Sequence, residues 1–153
     1  MPKISVIIPT LDESKNLPLL LNDLIEINDI AEIIIIDSVS KDKTKDIAFL
    51  YGAKFHKIYK KNRGLQMNFG AKNAEGEWLL FLHADSRLKS NWSEGIRPLI
   101  NKESIYIYFF KLKINNKKLI FRILESLVSL RCFLFKSPYG DQGILIHKNT
   151  YNK

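Results

Sequence analysis

The residues with the most chemistry to offer sit where apolar runs stop. Trp78-Leu79-Leu80-Phe81-Leu82 is unbroken and gives way at once to His83-Ala84-Asp85-Ser86. An imidazole and a carboxylate two residues apart there form a candidate metal or phosphate station. Two earlier apolar runs also end in acids, Asp12 and Glu13 after the first and Asp37 after the second, and the polar residues Thr10, Asn62, Arg63, Gln66 and Asn68 lie in the connections. A divalent cation held by Asp85 could bridge two phosphate oxygens and neutralise charge as a diphosphate departs. Mg²⁺ often takes only one or two carboxylates plus substrate phosphates. Each acid alone reads equally as a cap or turn former, so the chemistry depends on whether they converge.

Convergence requires a particular fold. Ile4 to Ile8 reads as a strand ended by Pro9; after Ser14, Leu17, Leu20, Leu21, Leu24 and Ile25 recur at helical spacing. Ile33 to Ile36 is a second strand ending on Asp37, followed by a helix capped by Ser40, running to about Leu50 and closed by Gly52. The third unit is Lys54 to Tyr59, a loop, then a helix from about Gly64 to Ala74 stopped by Gly76; the run from Trp78 to Leu82 is the fourth strand. Strands this uniformly apolar are buried on both faces. Four strand-helix steps predict an α/β, Rossmann-like, mostly parallel sheet with helices on both faces, its strand ends aligned along the edge where ligands bind.

The rhythm then changes. A helix from about Asn91 to Ile100 precedes an alternating stretch from Ile105 to Ile114, which reads as an edge or mixed-sheet strand. Lys117 to Phe135 is a helix whose polar residues Arg122, Glu125, Ser126 and Ser129 form a narrow stripe. It is either sunk in the core or laid in a membrane interface; Arg122, Glu125 and Arg131 bar it from spanning a bilayer.

At 153 residues and 46% hydrophobic content, the chain has room for a single domain over 1–153. Cys132 is the only cysteine, which excludes an internal disulfide or a thiolate zinc site and fits a reducing compartment. The apolar stretch after Lys3 is too short for a secretory signal. Residues 1–110 carry 15 basic against 14 acidic side chains, whereas residues 111–153 carry 9 against 2, so nearly all of the +8 net charge lies at the end. Such a block suits an anionic partner such as a phospholipid surface, or is simply a solvated lysine-rich face. No nucleic-acid reading module accompanies it, so no nucleic-acid partner is expected. Neither G-x-G-x-x-G nor a P-loop follows the first strand, which disfavours dinucleotide cofactors and P-loop nucleotides.

Four segments in order, Ser5 to Glu13, Ile36 to Thr44, Arg63 to Ala71 with Gly76-Glu77 and Phe81 to Leu88, and Pro138 to Gly143, resemble the family 2 glycosyltransferases of GT-A fold. The third and fourth are similar to a bacterial subgroup with a His-Ala-Asp metal motif, associated with radical-SAM/selenodomain neighbourhoods. The resemblance implies an inverting transfer of a sugar from a nucleotide-diphosphate donor, by default a UDP-sugar, to an acceptor hydroxyl, which includes lipid-linked acceptors. It implies that Pro9, Thr10, Glu13 and Asp37 hold the nucleoside, with Arg63, Gln66 and Asn68 near the nucleotide. Asp85, with His83, would hold Mg²⁺ or Mn²⁺, and Asp141 would be the base. Taken alone, His83 reads as a hydrogen-bonding strand-end residue and Asp141 as a turn residue beside Gly140. Ser38-Val39 stands where the family commonly has glycines, and the chain ends twelve residues after Asp141, short for the family. The expected location is cytoplasmic, peripheral to the inner membrane face. The alternative is a non-catalytic nucleotide-sugar or membrane-binding module.

Overall fold

The computed structural model describes residues 3–25, 27–100, 105–114, 116, 118–135 and 142–153, without the side chains of Phe133 and Phe135. In chain order the elements are β1 (Ile4–Thr10), α1 (Leu17–Leu24), β2 (Ile30–Asp37), α2 (Thr44–Leu50), β3 (Lys54–Lys57), α3 (Arg63–Asn73), β4 (Trp78–Phe81), α4 (Trp92–Ile100), β5 (Ile107–Phe109), α5 (Leu119–Phe135), β6 (Ile144–His147) and α6 (Lys148–Tyr151). Among the described residues the strands form one sheet in the order β3-β2-β1-β4-β6-β5. β1, β2, β3 and β4 are mutually parallel, and β6 runs antiparallel to both β4 and β5. The expected mostly parallel sheet with helices on both faces is therefore the observed one.

β1 explains the layering. Its alternate residues Ile4, Val6 and Ile8 point to one face, where they join Leu17, Leu20, Leu21 and Leu24 of α1, Ala48 of α2, and Trp92, Ile96 and Ile100 of α4. Ile7 points the other way, with Ile34, Ile36 and Leu79, against Ala71 of α3. The period of two in a strand sorts one apolar run into two cores. α3 lies close on its face because of Gly70: a Cβ there would come within 2.5 Å of Ile7 Cγ2.

The strand edges differ from the sequence reading in instructive ways. β1 continues through Pro9 to Thr10 instead of stopping at Ile8. Leu82 N donates to Ile7 O and Ser38 N donates to Thr10 O, so odd residues of β1 face β4 and even ones face β2. Pro9 thus lacks its N–H on the side where β4 has already ended, and the ladder with β2 is undisturbed. β3 is shorter than expected, and the alternating stretch from Ile105 yields only the three-residue edge strand β5. β6 was not legible: Ile144 to Ile146 is a run of only three apolar residues before His147, with no periodicity to distinguish it. It covers the free edge of β4.

Replacing Gly70 with Ala adds a methyl where Ile7 already sits. Urea denaturation is expected to show a loss of about 1–3 kcal/mol from overpacking, outweighing the roughly 1 kcal/mol gained in helix propensity; equal or higher stability would show that α3 is free to move outward.

Candidate active site

The carboxyl ends of the four parallel strands release four connections at one edge, and β1 lies where its neighbours β2 and β4 diverge. This is the switch point at which open α/β sheets bind ligands. The first two connections are fastened to each other by side chains. Asp12 N donates to Ser40 Oγ (2.8 Å), Lys41 N to Asp12 Oδ1 (2.7 Å), Glu13 N to Thr44 Oγ1 (2.9 Å) and Ser14 N to Asp42 Oδ2 (2.8 Å). Asp42 also accepts from Thr44 N. Slight desolvation pushes the exposed Asp42 carboxyl upward, but the hydrogen bonds from Thr44 and Ser14 outweigh it and hold the group well below the usual carboxylate range.

Asp37 lies beneath this lock, 2% exposed. It accepts from Thr10 Oγ1 (3.0 Å), from Ser40 N (2.8 Å) and from Ser40 Oγ. The turn it anchors puts Val39 at φ +63°, a left-handed conformation that suits glycine better than a β-branched residue. From α3, the buried Gln66 amide donates to Thr10 O (2.9 Å) and Ile36 O (2.7 Å), tying the ends of β1 and β2 together. Asn62 caps α3 by accepting from Leu65 N (3.0 Å), so the positive end of the helix dipole opens on the same edge.

After β4 the chain turns, with Ser86 N donating to His83 O (3.0 Å). Arg87 fastens this turn to α1 by a two-pronged pair with Asp23, through Nε (2.8 Å) and Nη2 (3.0 Å), and Leu88 N donates to the same carboxylate. The Arg87 guanidinium holds the Asp23 carboxyl below its ordinary value.

Between these connections is a cleft of about 280 Å³. Of the residues singled out in the sequence, Pro9, Thr10, Glu13, Arg63, Gln66, His83 and Asp85 line it. Asp37 lies below its wall as the support of Thr10. Asn68 is exposed on α3: two residues beyond Gln66 on a helix is about 200° around the axis, away from the sheet. Asp141 lies outside the described residues. Lys61 also lines the cleft and was not singled out, because a lysine among Lys57, Lys60 and Arg63 carries no distinguishing signal. Ser40 does not cap α2 as expected: the helix begins at Thr44 with Lys43 at its N-cap and no side-chain cap bond, and the Ser40 hydroxyl instead accepts from Asp12 N and donates to Asp37.

The His-Ala-Asp metal motif does not hold. Among the described residues no three His, Cys, Asp or Glu side chains gather to hold an ion. The strand stops at Phe81, and the following turn leaves His83 half-buried and Asp85 exposed rather than setting them side by side along a strand.

The model of the family described as glycosyl transferase family 2 matches residues 5–147. The chain belongs to this family. The match is to the family as a whole and supplies no link to a radical-SAM/selenodomain subgroup, so that part of the resemblance is corrected with the motif. The GT-A fold is shared with glucosyl-3-phosphoglycerate synthase of Mycobacterium tuberculosis, solved with Mn²⁺ and UDP, at TM-score 0.70 and 18% identity over 97% of this chain and 57% of that one. TarS of S. aureus, solved in complex with UDP, is 27% identical with TM-score 0.64, covering 76% of this chain and 38% of that one. A dolichyl-phosphate β-glucosyltransferase of Trichomonas vaginalis is 31% identical over 101 residues, covering 56% of this chain and 31% of the relative. The chain spans less than two thirds of the length of each of these proteins.

Two measurements test the lock. Asp42 has a folded-state pKa below its ordinary 3.8, so the stability it contributes is present above about pH 4 and is lost as pH falls toward the folded value. Asp42→Asn is expected to be less stable at pH 7 and to show a shallower acid limb below about pH 4 in thermal melts; an unchanged limb would assign that limb to other carboxylates. Val39→Gly removes left-handed strain of about 1–2 kcal/mol against a glycine entropy cost of about 0.5–1 kcal/mol. Chemical denaturation should show a small net gain.

Proposed function

We propose that this chain is the donor-binding part of a glycosyltransferase that uses a UDP-sugar and inverts the anomeric centre. The observation that carries the reading is the strand-end cleft itself, where Thr10, Glu13, Arg63, Gln66 and Asp85 meet over a buried, fully bonded Asp37. The UDP complex of TarS, a relative at 27% identity, supports the choice of nucleotide. Pro9 and Thr10 form the floor under the nucleoside, held by Asp37 and Gln66. Arg63 and Lys61, with the N-terminal end of α3, supply positive charge for the diphosphate.

The residues present fit a cation only as a joint site. Asp85 is an exposed carboxylate on the cleft wall, and Mg²⁺ or Mn²⁺ is commonly held by one carboxylate together with substrate phosphates. When bound, the ion would offset charge on the departing diphosphate. Asp141, immediately before the buried Gln142, is the proposed base for the acceptor hydroxyl. The dolichyl-phosphate relative supports a lipid-linked acceptor. α5 supports contact with an anionic membrane: Leu127, Leu130 and Leu134 are 58%, 54% and 63% exposed within the basic end of the chain. Among the described residues no helix is long and apolar enough to cross a membrane.

Thermal shift with UDP and with UDP-sugars, with and without Mn²⁺, tests the donor site; stabilisation is expected to reach about 2.7 kcal/mol at a hundredfold excess over Kd. Asp85→Ala should lose the Mn²⁺-dependent increment and reduce donor hydrolysis by at least about 100-fold, the scale of a lost charge stabiliser. Full activity in that variant would remove Asp85 from the reading, and binding without turnover of any donor would assign the chain to the non-catalytic module.

A further inference from the structure

A second, larger cleft of about 1,320 Å³ opens on the other flank of the turn after β4. α4 supplies one wall, and β5 with the extended segment that follows it supplies the other. Its floor is apolar, formed by Leu88, Trp92, Leu99, Tyr108, Phe110 and Leu112. Several of these are only half-buried, which in a packed interior would leave dispersion contacts unmade. The cleft lies outside the nucleotide site, but its first lining residue, Arg87, is two positions from Asp85.

The charges around it are unequal. Arg87 is paired with Asp23, and Arg122 with Glu125 (2.9 Å). Glu94 is the remaining acid on the lining. Against it stand Lys89, Lys111 and Lys113, all exposed and without a salt-bridge partner among the described residues. An apolar trough with surplus cations suits an amphiphile whose single chain lies on the floor and whose anionic head meets the lysines. A bilayer surface cannot enter a concavity between two walls; the convex apolar face of α5 is the part shaped for that.

We propose that this cleft binds a single-chain lipid phosphate, the hydrocarbon along α4 and Leu112 and the phosphate at Lys111 and Lys113. The proposal rests on the transferase reading, in which this lipid is the acceptor and the shared turn brings its head toward Asp85.

The probe is decyl phosphate below its critical micelle concentration, with decanol and inorganic phosphate as controls. Trp92 lines the cleft, whereas Trp78 is in the core with its Nε1 bonded to Ile100 O, so tryptophan emission reports occupancy. Decyl phosphate should give a saturable change that inorganic phosphate does not. Its affinity should fall at least tenfold in Leu112→Glu, which puts a carboxylate on the floor, and in the surface variant Lys111→Glu/Lys113→Glu. Decanol should bind more weakly than decyl phosphate and be indifferent to the lysine changes. UDP stabilisation should be retained in both variants, which also shows that they fold.

No saturable change in protein that UDP stabilises would overturn the proposal, as would undiminished affinity in Leu112→Glu. An equal response to inorganic phosphate would reduce the site to an anion patch. Binding to phosphatidylglycerol vesicles without any response to monomeric decyl phosphate would assign the lysines to surface contact and also overturn it. Decyl phosphate binding in protein that UDP fails to stabilise would instead sink the donor reading and leave the lipid-phosphate site standing.

Discussion

β1 has neither a free edge nor a free face, and the rest of the structure follows from that confinement. Ile4, Val6, Ile7 and Ile8 have no measurable exposure, with β2 and β4 on their flanks and a helical layer above and below. No polar side chain that must reach a ligand can sit within such a strand without losing its hydration. The polar residues are driven to the carboxyl end, where β4 stops at Phe81 while β1 and β2 continue to Thr10 and Asp37. The unequal strand lengths open the cleft.

Opening a sheet at its end leaves backbone groups to satisfy, and the side chains that do this also shape the site. Gln66 bridges the carbonyls of Thr10 and Ile36, so its amide nitrogen is committed to structure even though the residue lines the cleft. Asp37 is committed in the same way: its carboxylate is spent on Thr10 and Ser40 before any ligand arrives. In the proposed donor site both would act through the groups they hold rather than by direct contact. Buried and fully bonded, they give the first connections a rigidity that exposed loops lack.

The two clefts differ in chemistry. One is small, polar and built from strand ends; the other is long, apolar and rimmed with lysine, and the turn pinned by Arg87 and Asp23 separates them. That salt bridge is partly exposed and contributes little to global stability. Its consequence is positional, since it sets the turn that both clefts share.

From the residues alone, the alternation of apolar runs and helical spacings determined the parallel sheet, its two helical layers and the edge where the acids gather, because burial on both faces and a period of 3.6 leave direct marks in the order of residue types. The ordered segments around Thr10, Asp37, Arg63 and Asp85 likewise marked the family. Tertiary structure alone decided which of those residues share a cleft. Asn68 turns outward by helical phase, Asp37 sinks below Thr10, and His83 and Asp85 leave the strand on a turn that gives them unequal exposure in one cleft, none of which a linear spacing contains. It also decided that α5 keeps an exposed apolar face, since a helix apolar on most sides fits a core or a surface equally well until its neighbours are known. β6 belongs to the same class: three apolar residues and His147 become a strand only because the edge of β4 is there to pair with them.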